Sequence, residues 1–97
     1  MRYSLHPESE QDLREAAEYY SKRAGAALSQ ALFTDFERSI QLLLQRPLLG
    51  ALWLHGRRRL VMKHFPYSVI YTVAGDEIQV LAVAHHSRHA GYWRKRK

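Results

Sequence analysis

The 97-residue chain contains no cysteine. That removes disulfides, a thiol nucleophile and any thiolate metal site, and it fits a reducing cytosol. Long hydrophobic runs are missing too: no stretch approaches the roughly 20 apolar residues that span a bilayer. The opening MRYSLHPESE has no apolar signal core. These absences lead us to expect a soluble, cytoplasmic protein with no membrane partner. There is no glycine-rich phosphate loop and no HExxH, and no Gly-x-Ser-x-Gly elbow surrounds Ser87. P-loop nucleotide hydrolysis, zincin chemistry and a serine-hydrolase mechanism therefore have no support. Acidic residues are scarce in the second half: after Arg38 only Asp76 and Glu77 remain.

What is present is positive charge. The net charge is +6, with 15 Lys and Arg against nine Asp and Glu. Arg46, Arg57, Arg58, Arg59, Lys63, Arg88 and the Arg94 to Lys97 tail stand almost unopposed. A one-sided basic surface points to a polyanionic partner, either nucleic acid or an acidic protein segment. The chain is the size of one domain, spanning 1–97, with the basic tail 94–97 read as a mobile source of nonspecific attraction.

Periodicity supplies the elements. Arg2 to Leu5 reads as a short strand. Pro7 suits the first turn of a helix, and Leu13, Ala16, Ala17 and Tyr20 form one amphipathic face. Glu8, Glu10 and Asp12 near its start and Lys22 and Arg23 near its end match the helix dipole. Gly25 is a natural stop. A second helix, Ala26 to Gln45, carries an apolar seam of Leu28, Leu32, Phe36, Ile40, Leu43 and Leu44 and ends before Pro47. Pro47 to Gly56 reads as a loop. Strands are expected at Arg58 to Phe65, Tyr67 to Val73 and Ile78 to His85, with turns at Pro66 and Ala74 to Glu77. The expected fold class is α+β, in the order β-α-α-β-β-β: a helical hairpin packed on a largely antiparallel sheet. Ile78 to Ala84 is apolar on both faces, so it belongs inside the sheet, between the first strand and Tyr67 to Val73.

Chemistry concentrates where that strand ends. His85, His86, Arg88, His89, Tyr92 and Trp93 follow one another closely. Imidazole can move a proton near neutral pH, the guanidinium fork suits phosphate, and Tyr92 or Trp93 can stack on a base. Blander roles fit as well. His85 can bond backbone at the strand end, Arg88 can pair with an acidic partner, and Tyr92 and Trp93 can fold back as a lid. The histidines do not read as a metal site, because adjacent strand residues point to opposite faces. No cofactor is expected.

Three stretches, YSLHPESEQDLREAAEYY, RRRLVMKHFPYSVIYTV and VLAVAHHSRHAGYW, resemble in order and spacing the RelE/ParE superfamily of bacterial type II toxin–antitoxin toxins. The resemblance implies a growth-inhibiting toxin, of the kind linked to plasmid stabilisation. It also implies a hetero-oligomer with an acidic cognate antitoxin. RelE-like members are endoribonucleases that cut mRNA on the ribosome. ParE-like members are described as DNA gyrase inhibitors. Tyr92 matches the RelE-type C-terminal tyrosine, and Lys63 with Arg57, Arg58 and Arg59 matches its basic strand. Histidine at His86 and serine at Ser68 stand where that pattern has arginines, while His85 and Arg88 match the ParE pattern. The candidate catalytic set is therefore His85, His86, Arg88 and Tyr92. Arg57, Arg58, Arg59, Lys63 and Trp93 are candidate substrate-binding residues, and His85, His86, Arg88 and Tyr92 are expected to line one face with Lys63 and part of the Arg57 to Arg59 run. Ribosome-dependent, metal-independent mRNA cleavage, gyrase inhibition by binding, and a detoxified antitoxin-binding module all remain open at this level.

Overall fold

A computed structural model describes residues 1–96. The chain opens with strand β1 (Arg2–Leu5) and runs into helix α1 (Pro7–Ala24). Proline occupies the first turn, where its missing N–H has no partner to lose. His6 caps that turn, its Nδ1 accepting the Glu8 amide at 3.0 Å. Gly25, at φ 91°, ends α1 and begins α2 (Ala26–Gln45) in one residue. That left-handed backbone favours glycine, and it makes the hairpin tight.

The sheet follows: β2 (Ala51–Leu52), β3 (Arg58–Val61), β4 (Tyr67–Ala74) and β5 (Glu77–His85). Its order is β1-β5-β4-β3-β2. β1 lies parallel to β5, from Arg2 opposite Glu77 to Leu5 opposite Val80. The other neighbours are antiparallel. The apolar strand β5 thus sits inside the sheet, as expected. Both helices pack on one face, where Leu13, Ala16, Leu32, Phe36, Ile40 and Leu43 meet Val69, Tyr71, Ile78, Val80 and Val83.

Two expected boundaries move. The loop Pro47 to Gly56 contains β2 and a short 3-10 turn at Leu54–Gly56, so the sheet gains a fifth, two-residue strand. β3 stops at Val61 rather than Phe65. Its continuation is pulled out of the sheet because the buried carboxylate of Asp35, on α2, accepts the His64 amide at 2.8 Å. Arg38 holds the same carboxylate at 2.7 Å. Lys63 therefore lies in an exposed connection and not on a strand.

One irregularity controls the faces. Ile70 pairs with Ala82 while Tyr71 pairs with Val80, which leaves Leu81 as an extra residue, a β-bulge. Before it, Ile78 and Val80 face the helices; after it, Val83 does, with Ala82 turned to the other side. A one-residue insertion flips every later side chain. It puts the His85 ring on the helix side, against Tyr67, and His86 on the opposite side, against Ser68.

Tyr71 ties the α2–β2 connection to the sheet. Its hydroxyl donates to the Pro47 carbonyl at 2.7 Å and accepts from the Gly50 amide at 2.9 Å. Arg58 points to the same connection and donates to the Gly50 carbonyl at 2.8 Å and to that of Leu48 at 3.3 Å. A Cβ on residue 50 would lie 2.7 Å from the Tyr71 ring. Gly50→Ala should therefore lower stability by about 1–3 kcal/mol, the range for overpacking a filled site. Urea denaturation will show this as a lower midpoint at unchanged slope.

Candidate functional site

The site is built around an incomplete strand edge. β1 accompanies β5 only as far as Val80, whose carbonyl accepts the His6 amide at 2.8 Å. The chain then turns into α1, and the outer edge of β5 beyond Val80 has no strand beside it. Two side chains stand in for one. Asp12, on the inner face of α1, accepts the Val83 amide at 3.0 Å. Arg96 donates to the Leu81 carbonyl at 3.0 Å and to both Asp12 oxygens, at 2.7 and 3.3 Å. Its Nε also meets Glu8 at 3.0 Å. The Asp12 and Arg96 side chains are 8% and 10% exposed. The basic tail is thus no mobile appendage up to Arg96; Lys97 lies outside the described residues.

This latch shapes the segment before it. Trp93 is 1% exposed and packs on Ile70 and Ala82, on the sheet face away from the helices. It was expected to bind substrate, but it is a lid residue with no free ring face for a base. Tyr92 lies between two guanidinium groups, Arg88 at 3.9 Å and Arg96 at 5.1 Å from its ring centre. Burial and the Asp12 carboxylate push its phenol above the usual value, against the pull of Arg96 and Arg88. A phenol held protonated in this way is no general base near neutral pH.

Two concavities flank the end of β5. One, of about 370 Å³, lies on the helix side; Asp12, Glu15, Tyr19, Tyr67, His85, Ser87, Arg88 and Tyr92 line it. His85 Nδ1 accepts the Ser87 amide at 3.0 Å and lies 2.7 Å from the Ser87 hydroxyl. A backbone amide can only donate, so the neutral ring carries its proton on Nε2. The ring stands edge-on to Tyr67, with centroids 4.9 Å apart. Burial, followed by the neighbouring Tyr20 and Tyr19, pushes the Tyr67 phenol up to about 12.

The other concavity, of about 250 Å³, opens on the outer sheet face. Arg59 lies with its Cζ 4.4 Å from the Trp53 ring centre and donates from Nε to Ser68 Oγ at 3.2 Å. Ser68 Oγ is in turn 3.0 Å from His86 Nε2. Arginine can only donate, so Ser68 accepts from Arg59, and its hydroxyl can bond His86 Nε2 in either tautomer. His89, Arg88, Tyr92 and His85 complete the rim, and no carboxylate lines it.

The sequence-predicted set is thereby divided. His86 and Arg59 share the outer cleft. The His85 ring belongs to the helix side, beside Asp12 and Glu15. Arg88 and Tyr92 border both. Lys63 and Arg57 line neither, and Arg58 is committed to the Leu48 and Gly50 carbonyls. His85, His86, Arg88, Tyr92 and Arg59 border the outer cleft together, although the His85 ring turns to the helix side, as successive side chains of a strand alternate; Lys63 does not reach it. Sequence reading left Trp53 inside a loop, read Asp12 only as helix-dipole charge and did not single out Asp35. The signal for both acids was a carboxylate inside an apolar helical stripe: Asp12 between Ser9 and Ala16, and Asp35 between Leu32 and Ser39.

The sequence profile described as "ParE toxin of type II toxin-antitoxin system, parDE" matches residues 3–90. The chain belongs to this family. It is similar in structure to a solved chain described as "Chromosomal ParDE TA system from P. aeruginosa". The TM-score is 0.77 at 24% identity, over 88% of this chain and 95% of that one, a likeness that shows the fold. No curated protein matches the chain in sequence. Among the described residues, no helix is long and apolar enough to cross a membrane.

Two measurements test this architecture. Arg96→Ala leaves Asp12 buried without its cation, and breaking a buried pair this way costs about 3–5 kcal/mol. The variant should melt far below the parent, and the Trp93 fluorescence should shift to the red as the lid loosens. Tyr67 contributes to stability in full below about pH 10, the ordinary phenol value. Its raised folded pKa means that the unfolded chain releases this proton first. The contribution is therefore lost as pH rises from about 10 through about 12. Tyr67→Phe should flatten the alkaline limb of the stability curve in that window.

Proposed function

We propose that this chain is the toxin of a type II toxin–antitoxin module and that it acts in the cytoplasm by binding a topoisomerase of the gyrase type. It does not itself cut RNA. The observation that supports this reading is the separation of the two imidazoles: the His85 ring lies against Tyr67 on the helix side and His86 against Ser68 on the outer side. Metal-free cleavage of RNA needs a base, an acid and cations around one phosphate. Here the His85 side also presents Asp12 and Glu15, which repel phosphate. On the His86 side one ring nitrogen, Nε2, is engaged by Ser68. Tyr92 stays protonated. Parts of a ribonuclease are present without the convergence that would make one.

The same reading gives the chain an acidic cognate antitoxin and a hetero-oligomeric resting state. Tyr19, Phe33 and Leu42 on the hairpin are large apolar side chains left exposed. A partly disordered acidic segment that folds on binding would cover them together with part of the basic sheet. mRNA cleavage on the ribosome and a detoxified antitoxin-binding module are the competing readings, and one experiment separates all three. The purified chain should inhibit gyrase supercoiling while cell-free translation continues with intact mRNA. His86→Ala should leave that inhibition nearly unchanged, whereas Arg88→Ala should weaken it, most at low salt where the charge is least screened. mRNA cut at codons in a ribosome assay would overturn the reading in favour of an endoribonuclease. Loss of both inhibitions, with antitoxin binding retained, would identify a detoxified module.

A further inference from the structure

All nine acidic residues lie on α1, on α2 or at the Asp76–Glu77 turn. None of them lines the cleft on the outer sheet face. That cleft is walled by two guanidinium groups, each stacked on an aromatic ring rather than paired with a carboxylate. Arg59 lies on Trp53 and Arg88 on Tyr92. Among the described residues, neither arginine enters an ion pair. His86 and His89 stand between them. Stacking fixes the plane of a guanidinium and leaves its edge of N–H donors free. Arg59 has used only its Nε, on Ser68, so its terminal nitrogens remain available. The His86 ring bonds Ser68 through Nε2 and uses no other partner among the described residues.

We infer that this outer cleft is a phosphodiester-binding site, through which the toxin holds the backbone of a nucleic acid. Two pre-oriented forks with imidazoles between them match the planar, multi-oxygen edges of phosphate. A single carboxylate would leave most of this positive charge uncompensated, whereas successive phosphates along a strand would not. Trp53, 38% exposed, and the half-buried Ala84 supply apolar surface for the sugar. The contacts reach backbone groups and carry no sequence code, so binding is sequence-tolerant and strongly salt-dependent. The inference extends the binding reading above. It is nevertheless tested without the topoisomerase, so either can fail alone: oligonucleotide binding can be absent while gyrase inhibition persists, and the reverse.

The test uses the purified full-length chain and three probes: a short fluorescein-labelled DNA duplex, single-stranded RNA of matching sequence, and an oligo-glutamate peptide of similar charge. Fluorescence anisotropy is followed between about 50 and 200 mM salt. Both nucleic acids supply phosphodiesters; the tighter of the two identifies the source. Arg59→Gln and Arg88→Gln should each weaken binding on the order of tenfold and reduce the slope of log affinity against log salt by about one. Arg14→Gln removes the same charge from α1 and should do neither. Arg59→Lys and Arg88→Lys keep the charge without the fork. They should retain the salt slope while losing part of the affinity, and they stand in for any glutamine variant whose thermal melt shows misfolding. Losses no greater than that of Arg14→Gln would overturn the proposal. So would oligo-glutamate binding as tightly as nucleic acid, which would assign the cleft to an acidic protein segment.

Discussion

The outer edge of β5 has to be covered where β1 leaves it. A strand with unpaired amide and carbonyl groups is costly when buried and adhesive when exposed. This chain meets that requirement with a carboxylate from residue 12 and a guanidinium from residue 96, which bond to the strand and to each other. The pair is nearly dry, so each charge depends on the other for its solvation. The position of the last turns follows from it. Arg96 draws the C-terminal segment back over the end of the sheet, which seats Trp93 on the outer face. Tyr92 and Arg88 then stand at the strand end where both concavities begin.

The bulge at Leu81 has an equally wide reach. It restores helix-facing alternation for Val83 after Ala82 and so decides which of the two histidines meets the helices. Everything chemical about this molecule then differs by face. The helix side brings His85 up against acids and tyrosines in a setting that repels phosphate. The outer side brings His86 into a bonded row with Ser68 and Arg59, free of acids. A serine at residue 68 is what lets that row form. Its short hydroxyl both accepts from the arginine and faces the imidazole, where a longer cationic side chain would push both away.

Asp35 and Tyr71 act on the scaffold as Asp12 does. Each reaches out of a regular element to hold an irregular one: the β3–β4 connection through the His64 amide, and the α2–β2 connection through Pro47 and Gly50. These three buried polar side chains are fully engaged, as interior polar groups must be. They keep the two connections and the C-terminal segment in place without lengthening the sheet.

Much of the fold was legible in the sequence because its causes are local. The apolar seams of both helices, Pro7 and Gly25 at their ends, and the alternation of Tyr67, Val69, Tyr71 and Val73 act over a few residues. So do the doubly apolar run of β5, which placed it inside the sheet, and the stretches that resemble the toxin family. The candidate site was legible only as a list of side chains. Their grouping depends on the bulge, which leaves no mark in composition, and on Arg96 meeting Asp12 across 84 positions of chain. Burial made Trp93 a lid, capture by Asp35 took Lys63 off its strand, and two carbonyls claimed Arg58. Sequence alone determined which elements form and how charge is distributed along the chain. Tertiary structure decided which charges face each other, because contacts between distant residues are set by packing and edge pairing, not by local propensity.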